Sequence, residues 1–174
     1  CIKAHCEPIY RLGIAIENYP WVKAYRTAPP KDFAKWARVC EHIIRHYNEG
    51  WANGFSYGIT YWEVWNEPDC YYPDFSYNCM WTGTPEQYYA LYETTAKHLK
   101  KCFGDTIKIG GPAACGFYDV IAEPQKYGMD FEGKPNAETA AQYRYFMDFV
   151  TGFLDHVQKT DTPLDFFSHH SYMS

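Results

Sequence analysis

The run Tyr61-Trp62-Glu63-Val64-Trp65-Asn66-Glu67-Pro68 decides how this chain is read. Its first five residues are aromatic or β-branched around a single carboxylate, which is the composition of a strand. Pro68 has no N–H to donate to a ladder and disfavours helical backbone in the residue before it. The strand is therefore expected to stop here, with Glu67 extended. Asn66 and Glu67 then project together from its tip. An amide beside a carboxyl has two readings at such a place. One is a surface turn closed by Asn and Pro. The other is a pair suited to sugars, the carboxyl protonating a glycosidic oxygen while the amide holds a neighbouring hydroxyl.

Three further runs read as strands, Ile9 to Ile16, Ile107 to Gly111 and Leu164 to Ser168, beside Ile59 to Trp65 itself. Helical patterns separate them. After Pro29-Pro30, with Asp32 as N-cap, the apolar set Phe33, Trp36, Ala37, Cys40, Ile43, Ile44 and Tyr47 recurs at spacings of three and four, which marks one buried helix face. Thr84-Pro85-Glu86-Gln87 is a capping box with proline in the first turn. Tyr88, Leu91, Tyr92, Thr95, Leu99 and Cys102 follow as an inner stripe, stopped by Gly104 and Asp105. A third helix is expected from Ala137 to Lys159, with Tyr143, Phe146, Phe149, Val150, Phe153 and Val157 inward.

The order β-α-β-α-β-α-β implies α/β architecture with a parallel sheet and right-handed crossovers, either an open doubly wound sheet or a (β/α)8 TIM barrel. No GxGxxG or Walker-type loop follows any strand; Gly110-Gly111-Pro112 has neither spacing. That counts against a nucleotide-binding sheet. A full barrel takes about 250 residues, so four strands and three helices amount to half of one. Two open sheet edges would remain. The missing half is expected from the rest of a larger domain or from association with another chain.

Composition narrows the partners. The 174 residues are 47% hydrophobic and 21% charged with a net charge of −5, so no basic surface for nucleic acid is expected. No apolar run reaches the roughly 18 residues of a membrane span. Aromatic content is high at 20%, which fits either sugar stacking or a ring-rich core. Five rings, Tyr71, Tyr72, Phe75, Tyr77 and Trp81, fall between Cys70 and Gly83; they form a sugar-stacking wall or pack beneath a long loop. The chain opens Cys1-Ile2-Lys3 without initiator Met or signal peptide, as an internal piece or processed product would, and localisation is left unassigned.

No cofactor or metal is expected. None of the seven cysteines forms a CxxC pair, so a structural zinc site of that kind has no support. Cys40 and Cys102 read as small buried hydrophobes, and Cys70 with Cys79 could close a loop as a disulfide in an oxidising compartment. His42 and His46 lie four apart but lack the zinc-protease pattern and fall opposite the apolar stripe, which predicts a solvated pair. His169 and His170 are adjacent in a strand, so they should face opposite ways. Glu63 should point into the barrel interior, paired with Arg11. Glu17 is a rim or substrate contact at most.

The strand run closely resembles the fourth-strand signature of the clan of retaining (β/α)8 glycosidases. Three other stretches look like glycoside hydrolase family 39, the family of β-xylosidases and α-L-iduronidases. Pro30-Lys31-Asp32-Phe33-Ala34-Lys35-Trp36 resembles the start of its third helix, Ile109-Gly110-Gly111-Pro112-Ala113 its fifth strand, and Asp165-Phe166-Phe167-Ser168-His169-His170-Ser171-Tyr172 its sixth. The similarity runs in order from about Pro8 to Met173. It implies that residues 1–174 are the central part of one catalytic barrel, about strands 3 to 6, with strands 1–2 and 7–8 absent. It implies Glu67 as general acid/base, Asn66 as the residue binding the 2-hydroxyl of the sugar beside the scissile bond, and His170 and Tyr172 as further substrate-site groups. The substrate would be carbohydrate, most simply a β-xyloside or related glycoside. The family's nucleophile, a second Glu at the end of strand seven, has no counterpart before Ser174. This leaves open a different reading, a non-catalytic carbohydrate-binding remnant or inactive fragment, and a weaker one, a transglycosylase with the same machinery.

Overall fold

A computed structural model describes residues 1–13, 27–70, 80–116, 128–130 and 132–171. The elements alternate as expected: β1 (Ile9–Leu12), α1 (Phe33–Asn48), β2 (Tyr61–Val64), α2 (Pro85–Phe103), β3 (Lys108–Ala114), α3 (Ala137–Lys159) and β4 (Phe166–His169). The strands form one parallel sheet in the order β1-β2-β3-β4. Residues 14–16, assigned to the first strand from sequence, lie outside the described residues.

The helix ends follow the local chemistry. Asp32 accepts from the Lys35 N–H at 2.9 Å and starts α1. Thr84 Oγ1 and Gln87 Oε1 exchange bonds with each other's backbone N–H, completing the capping box. Asn136 accepts from Glu138 and Thr139 at the start of α3. Each cap satisfies a donor that the first helical turn leaves without an internal partner.

Register places alternate side chains on two faces. Arg11 aligns with Glu63, Glu63 with Gly110, and Gly110 with Phe166. These residues share the face turned away from the helices. On the other face Leu12, Trp62, Val64 and Ile109 are buried against the helices, with Ile44, Tyr88, Leu91, Tyr92, Leu99, Phe149 and Phe153 filling the layer between. Much of the aromatic excess lies here. Tyr88, Tyr89 and Tyr92 each bury a ring and donate the hydroxyl to a carbonyl: Val64 O at 3.0 Å, Phe149 O at 2.8 Å and Pro163 O at 3.1 Å. Burial pushes all three phenols above their ordinary pKa. Those bonds tie α2 to β2, to α3 and to the start of β4.

Two adjacent glycines let β3 approach its neighbours. A Cβ on Gly110 would stand 2.3 Å from the Phe166 carbonyl oxygen, so no other residue fits between β3 and β4. At Ala113 the β3–β4 register shifts, and that residue takes φ 56°. This is a β-bulge, the device that re-aims backbone groups at the rim of barrels.

Two sequence expectations change on this frame. Cys102 is only partly buried and faces His98, with Sγ 3.8 Å from Nε2, so it is not a simple core hydrophobe. His46 is half-buried rather than solvated, with Nδ1 3.0 Å from the Trp51 carbonyl and its ring edge-on to Tyr47 and Phe55. His42 is exposed and stacks on Trp51. The loop from Trp51 to Tyr57 folds back over that helix face, which periodicity within the helix does not encode.

Candidate active site

The carboxyl ends of the four strands meet around Glu67. Beyond β2 the chain turns sharply, with Trp65 at φ 74° and Glu67 at φ 46°. The extended backbone expected of Glu67 from Pro68 is therefore not adopted. Tertiary bonds outweigh the local preference: the Glu67 N–H donates to the Ala113 carbonyl at 3.1 Å, and its own carbonyl accepts from Cys70 N–H at 3.0 Å. Positive φ in a side-chain-bearing residue costs on the order of 1–3 kcal/mol and is concentrated at functional sites. Here the bulge at Ala113 supplies the carbonyl that holds the turn. Trp65 is fixed by its indole N–H on Met80 O at 2.8 Å and by rings of Trp36 and Trp81.

Four side chains form a line across the mouth. Glu63 Oε2 pairs with Arg11 Nε at 2.7 Å, as the alternation along β2 predicted. Arg11 Nη2 lies 3.4 Å from His170 Nε2, and His170 Nδ1 lies 2.5 Å from Glu67 Oε1. A guanidinium only donates, so Nε2 meets it with its lone pair. The ring proton then sits on Nδ1 and is donated to Glu67. His169 is exposed and lies on the Phe167 side of β4, so the two histidines diverge as adjacent strand residues should.

Asn66 is fully buried, yet among the described residues neither its Oδ1 nor its Nδ2 has a hydrogen-bond partner. Desolvating an amide without a partner costs roughly 1–3 kcal/mol, and native proteins rarely retain such a group without a use for it. An amide in this state beside a catalytic-type carboxyl is suited to a polar ligand. Tyr172 and Glu17 lie outside the described residues, as do Tyr71, Tyr72, Phe75 and Tyr77 of the aromatic loop. Trp81 is buried, donates to Thr84 O at 2.9 Å and packs its ring against Trp65 and Tyr88. Cys70 is free, and Cys79 lies outside the described residues.

Asp69 was not singled out in the sequence. It is fully buried, and both its oxygens accept from the Cys115 N–H, at 2.9 and 3.0 Å, fastening the loop after β2 to the end of β3. Burial raises its carboxyl from 3.8 to about 6. Its only sequence signal was an acid directly after Asn-Glu-Pro. Glu63 and Asp69 are thus both engaged, one by a guanidinium and one by backbone N–H groups. Glu67 is the described carboxyl at the mouth that is set by an imidazole.

A sequence model described as glycosyl hydrolases family 39 matches residues 20–174. A β-xylosidase of Geobacillus stearothermophilus is 28% identical over 151 residues, covering 84% of this chain and 22% of that protein. A β-xylosidase of Caldicellulosiruptor saccharolyticus is 34% identical over 85 residues, covering 49% of this chain and 16% of that protein. The chain therefore spans about a fifth of the length of these relatives. The crystal structure of a glucosidase from Croceicoccus marinus superposes with TM-score 0.62 at 26% identity, over 96% of this chain and 27% of that one. A monomeric β-xylosidase from Caulobacter crescentus CB15 gives 0.56 at 22% identity, over 95% of this chain and 27% of that one, a likeness of fold.

Proposed function

The chain belongs to glycosyl hydrolase family 39, and from that premise we propose that the protein is a retaining glycosidase acting on β-xylosides or related O-glycosides, with Glu67 as its general acid/base. The observation that carries this reading is the contact between His170 Nδ1 and Glu67 Oε1 at the strand ends, beside the buried, unpartnered amide of Asn66. In the first step Glu67 protonates the leaving oxygen as a carboxylate attacks the sugar carbon. In the second it takes a proton from the water that releases the sugar. Asn66 binds the 2-hydroxyl of the sugar next to the scissile bond, which satisfies its amide. His170 orients Glu67 through Nδ1–H, held in turn by Arg11. Tyr172 follows two residues later as a further substrate contact.

A retaining mechanism needs a second carboxyl about 5–5.5 Å from the first. Glu63 and Asp69 are committed to Arg11 and to Cys115, and the resemblance to the family implies a Glu at the end of the seventh strand as nucleophile. Residues 1–174 are then the central part of one catalytic domain, about strands 3 to 6. The rest of the domain supplies the other barrel half.

The test is Glu67→Gln in the full-length protein. Loss of acid catalysis should lower kcat/KM about 10²–10⁴-fold on a xyloside with a poor leaving group. An aryl xyloside with an acidic phenol should be cleaved to its glycosyl-enzyme with little loss, and added azide should restore its turnover. Equal activity of variant and wild type on both substrates refutes the role. Xylobiose binding without hydrolysis by the wild type would instead favour the carbohydrate-binding remnant.

A further inference from the structure

On the outer side of the sheet, far in the fold from the strand ends, two helices bring a carboxylate, an imidazole and a thiol to one point. We propose that Glu41, His98 and Cys102 form a binding site for a divalent cation of the zinc class on the seam between α1 and α2.

His98 and Cys102 stand one turn apart on α2 and therefore share a face. Glu41 reaches them from α1. Glu41 Oε2 lies 2.7 Å and Cys102 Sγ 3.8 Å from the same atom, His98 Nε2, and the three donor atoms are all within 4.8 Å of one another. In tetrahedral zinc sites, with metal–N and metal–O near 2.0–2.1 Å and metal–S near 2.3 Å, ligand atoms stand roughly 3.4 Å (N to O) and 3.6 Å (N to S) apart. The N–S separation already meets this within a few tenths of an ångström. The N–O pair must open by roughly 0.7 Å, within reach of side-chain rotation. The fourth position faces outward, since all three residues are only partly buried.

The hydrogen bonding points the same way. A ring nitrogen holds either one proton or one lone pair. In the apo protein the Nε2–H and the Cys102 thiol both hydrogen-bond the Glu41 carboxylate, so the three groups already converge on one point. A cation satisfies all three donors together, releasing the thiol proton and the Nε2 proton to water. Charges also balance: carboxylate plus thiolate neutralise a dication. Arg45, the cation facing the cluster, is held on the other oxygen, Glu41 Oε1, at 2.8 Å, and is matched by Glu49.

The site is independent of the glycosidase reading, and its test uses metal alone. Titrating the full-length protein with Co²⁺ should give one bound equivalent with a thiolate-to-cobalt charge-transfer band in the near ultraviolet, displaced by Zn²⁺. Glu67, Cys70 and Cys115 also lie within 4.8 Å of one another in the barrel mouth, and the variants separate the two clusters. The band should vanish in Cys102→Ser and persist in the Cys70→Ser/Cys115→Ser double variant. His98→Asn and the near-isosteric Glu41→Gln should each weaken Zn²⁺ binding about 100-fold, at least what loss of a group that merely hydrogen-bonds a ligand costs. A far-ultraviolet circular dichroism spectrum and thermal midpoint matching the wild type show that Cys102→Ser is folded. No band at stoichiometric Co²⁺, a band that survives Cys102→Ser, or unchanged Zn²⁺ affinity in both His98→Asn and Glu41→Gln overturns the proposal.

Discussion

Asp69→Asn isolates what burial of one carboxyl does to the loop behind Glu67. In the folded chain burial, reinforced by the nearby charge of Glu67, raises the Asp69 carboxyl from 3.8 to about 6. Each pH unit corresponds to 1.36 kcal/mol, so the rise amounts to about 3 kcal/mol. Because the folded pKa lies above the unfolded one, the native state holds the proton more tightly. Between about pH 4 and 6 the folded chain is protonated at this site and the unfolded chain is not. Stability contributed by Asp69 is therefore fully present below the unfolded value and falls as pH rises through the folded one, then levels off. Asparagine cannot ionise, so this component disappears. Its amide offers a single acceptor oxygen to the Cys115 N–H, which in the wild type donates to both carboxylate oxygens. The rise to about 6 is already net of the backbone bonds that the ionised carboxyl accepts, so asparagine stands in for the protonated form. The two proteins should thus be similar at pH 4 and differ most at pH 7, where the variant is the more stable by about 3 kcal/mol. Urea unfolding of both, from pH 4 to 7, gives the measurement. The difference, wild type minus variant, should fall by about 3 kcal/mol across that range. A flat or rising difference curve refutes the assignment of the buried titrating group to Asp69.

Two further perturbations address the frame of the site. Arg11→Met leaves Glu63 buried without its counter-ion, and should cost about 2–3 kcal/mol, below the range for a fully buried pair because Arg11 is partly exposed. A double-mutant cycle with Glu63→Gln checks this, and a coupling energy near zero would show that the pair is ornamental. Gly110→Ala puts a methyl 2.3 Å from the Phe166 carbonyl and must part β3 from β4, moving His170 away from Glu67. Its cost should be at or above the top of the roughly 1–3 kcal/mol range for overpacking, with kcat/KM falling more than stability. Gly50→Ala, at φ 74° in open space, should cost only about 1–2 kcal/mol and leave kcat/KM unchanged; equal effects of both would contradict the packing argument.

Helices were legible because their signals are local. Asp32, Thr84 and Gln87 sit where caps must sit, and the stripes of α1 and α2 repeat at helical spacing. Glu67 and Asn66 were legible because they end a strand before proline, and Glu63 with Arg11 because alternation sets both on one face. What failed was non-local. The left-handed backbone at Glu67 depends on a carbonyl from β3, and the bulge at Ala113 carries no glycine or asparagine to announce it. Asp69 and Cys115 lie 46 residues apart, so nothing in either neighbourhood marks their bond. The position of Cys102 opposite Glu41 required the packing of two helices, and His46 required a loop that folds back.

The sheet order β1-β2-β3-β4 is also the order of synthesis. Each strand pairs with the one made just before it, so a chain leaving the ribosome never has to wait for a distant segment to complete a ladder. Such sequential assembly suits vectorial folding, with each parallel pairing closing only after its whole crossover has been made. The carboxyl Glu67 is aimed early, by β3 through Ala113, but its imidazole partner arrives last, with His170 after β4. A nascent chain therefore carries an aimed carboxyl without its imidazole partner until the final described strand docks. Pulse-labelled translation intermediates stalled before residue 160 should be helical and compact, yet lack the His170 contact that completes the site.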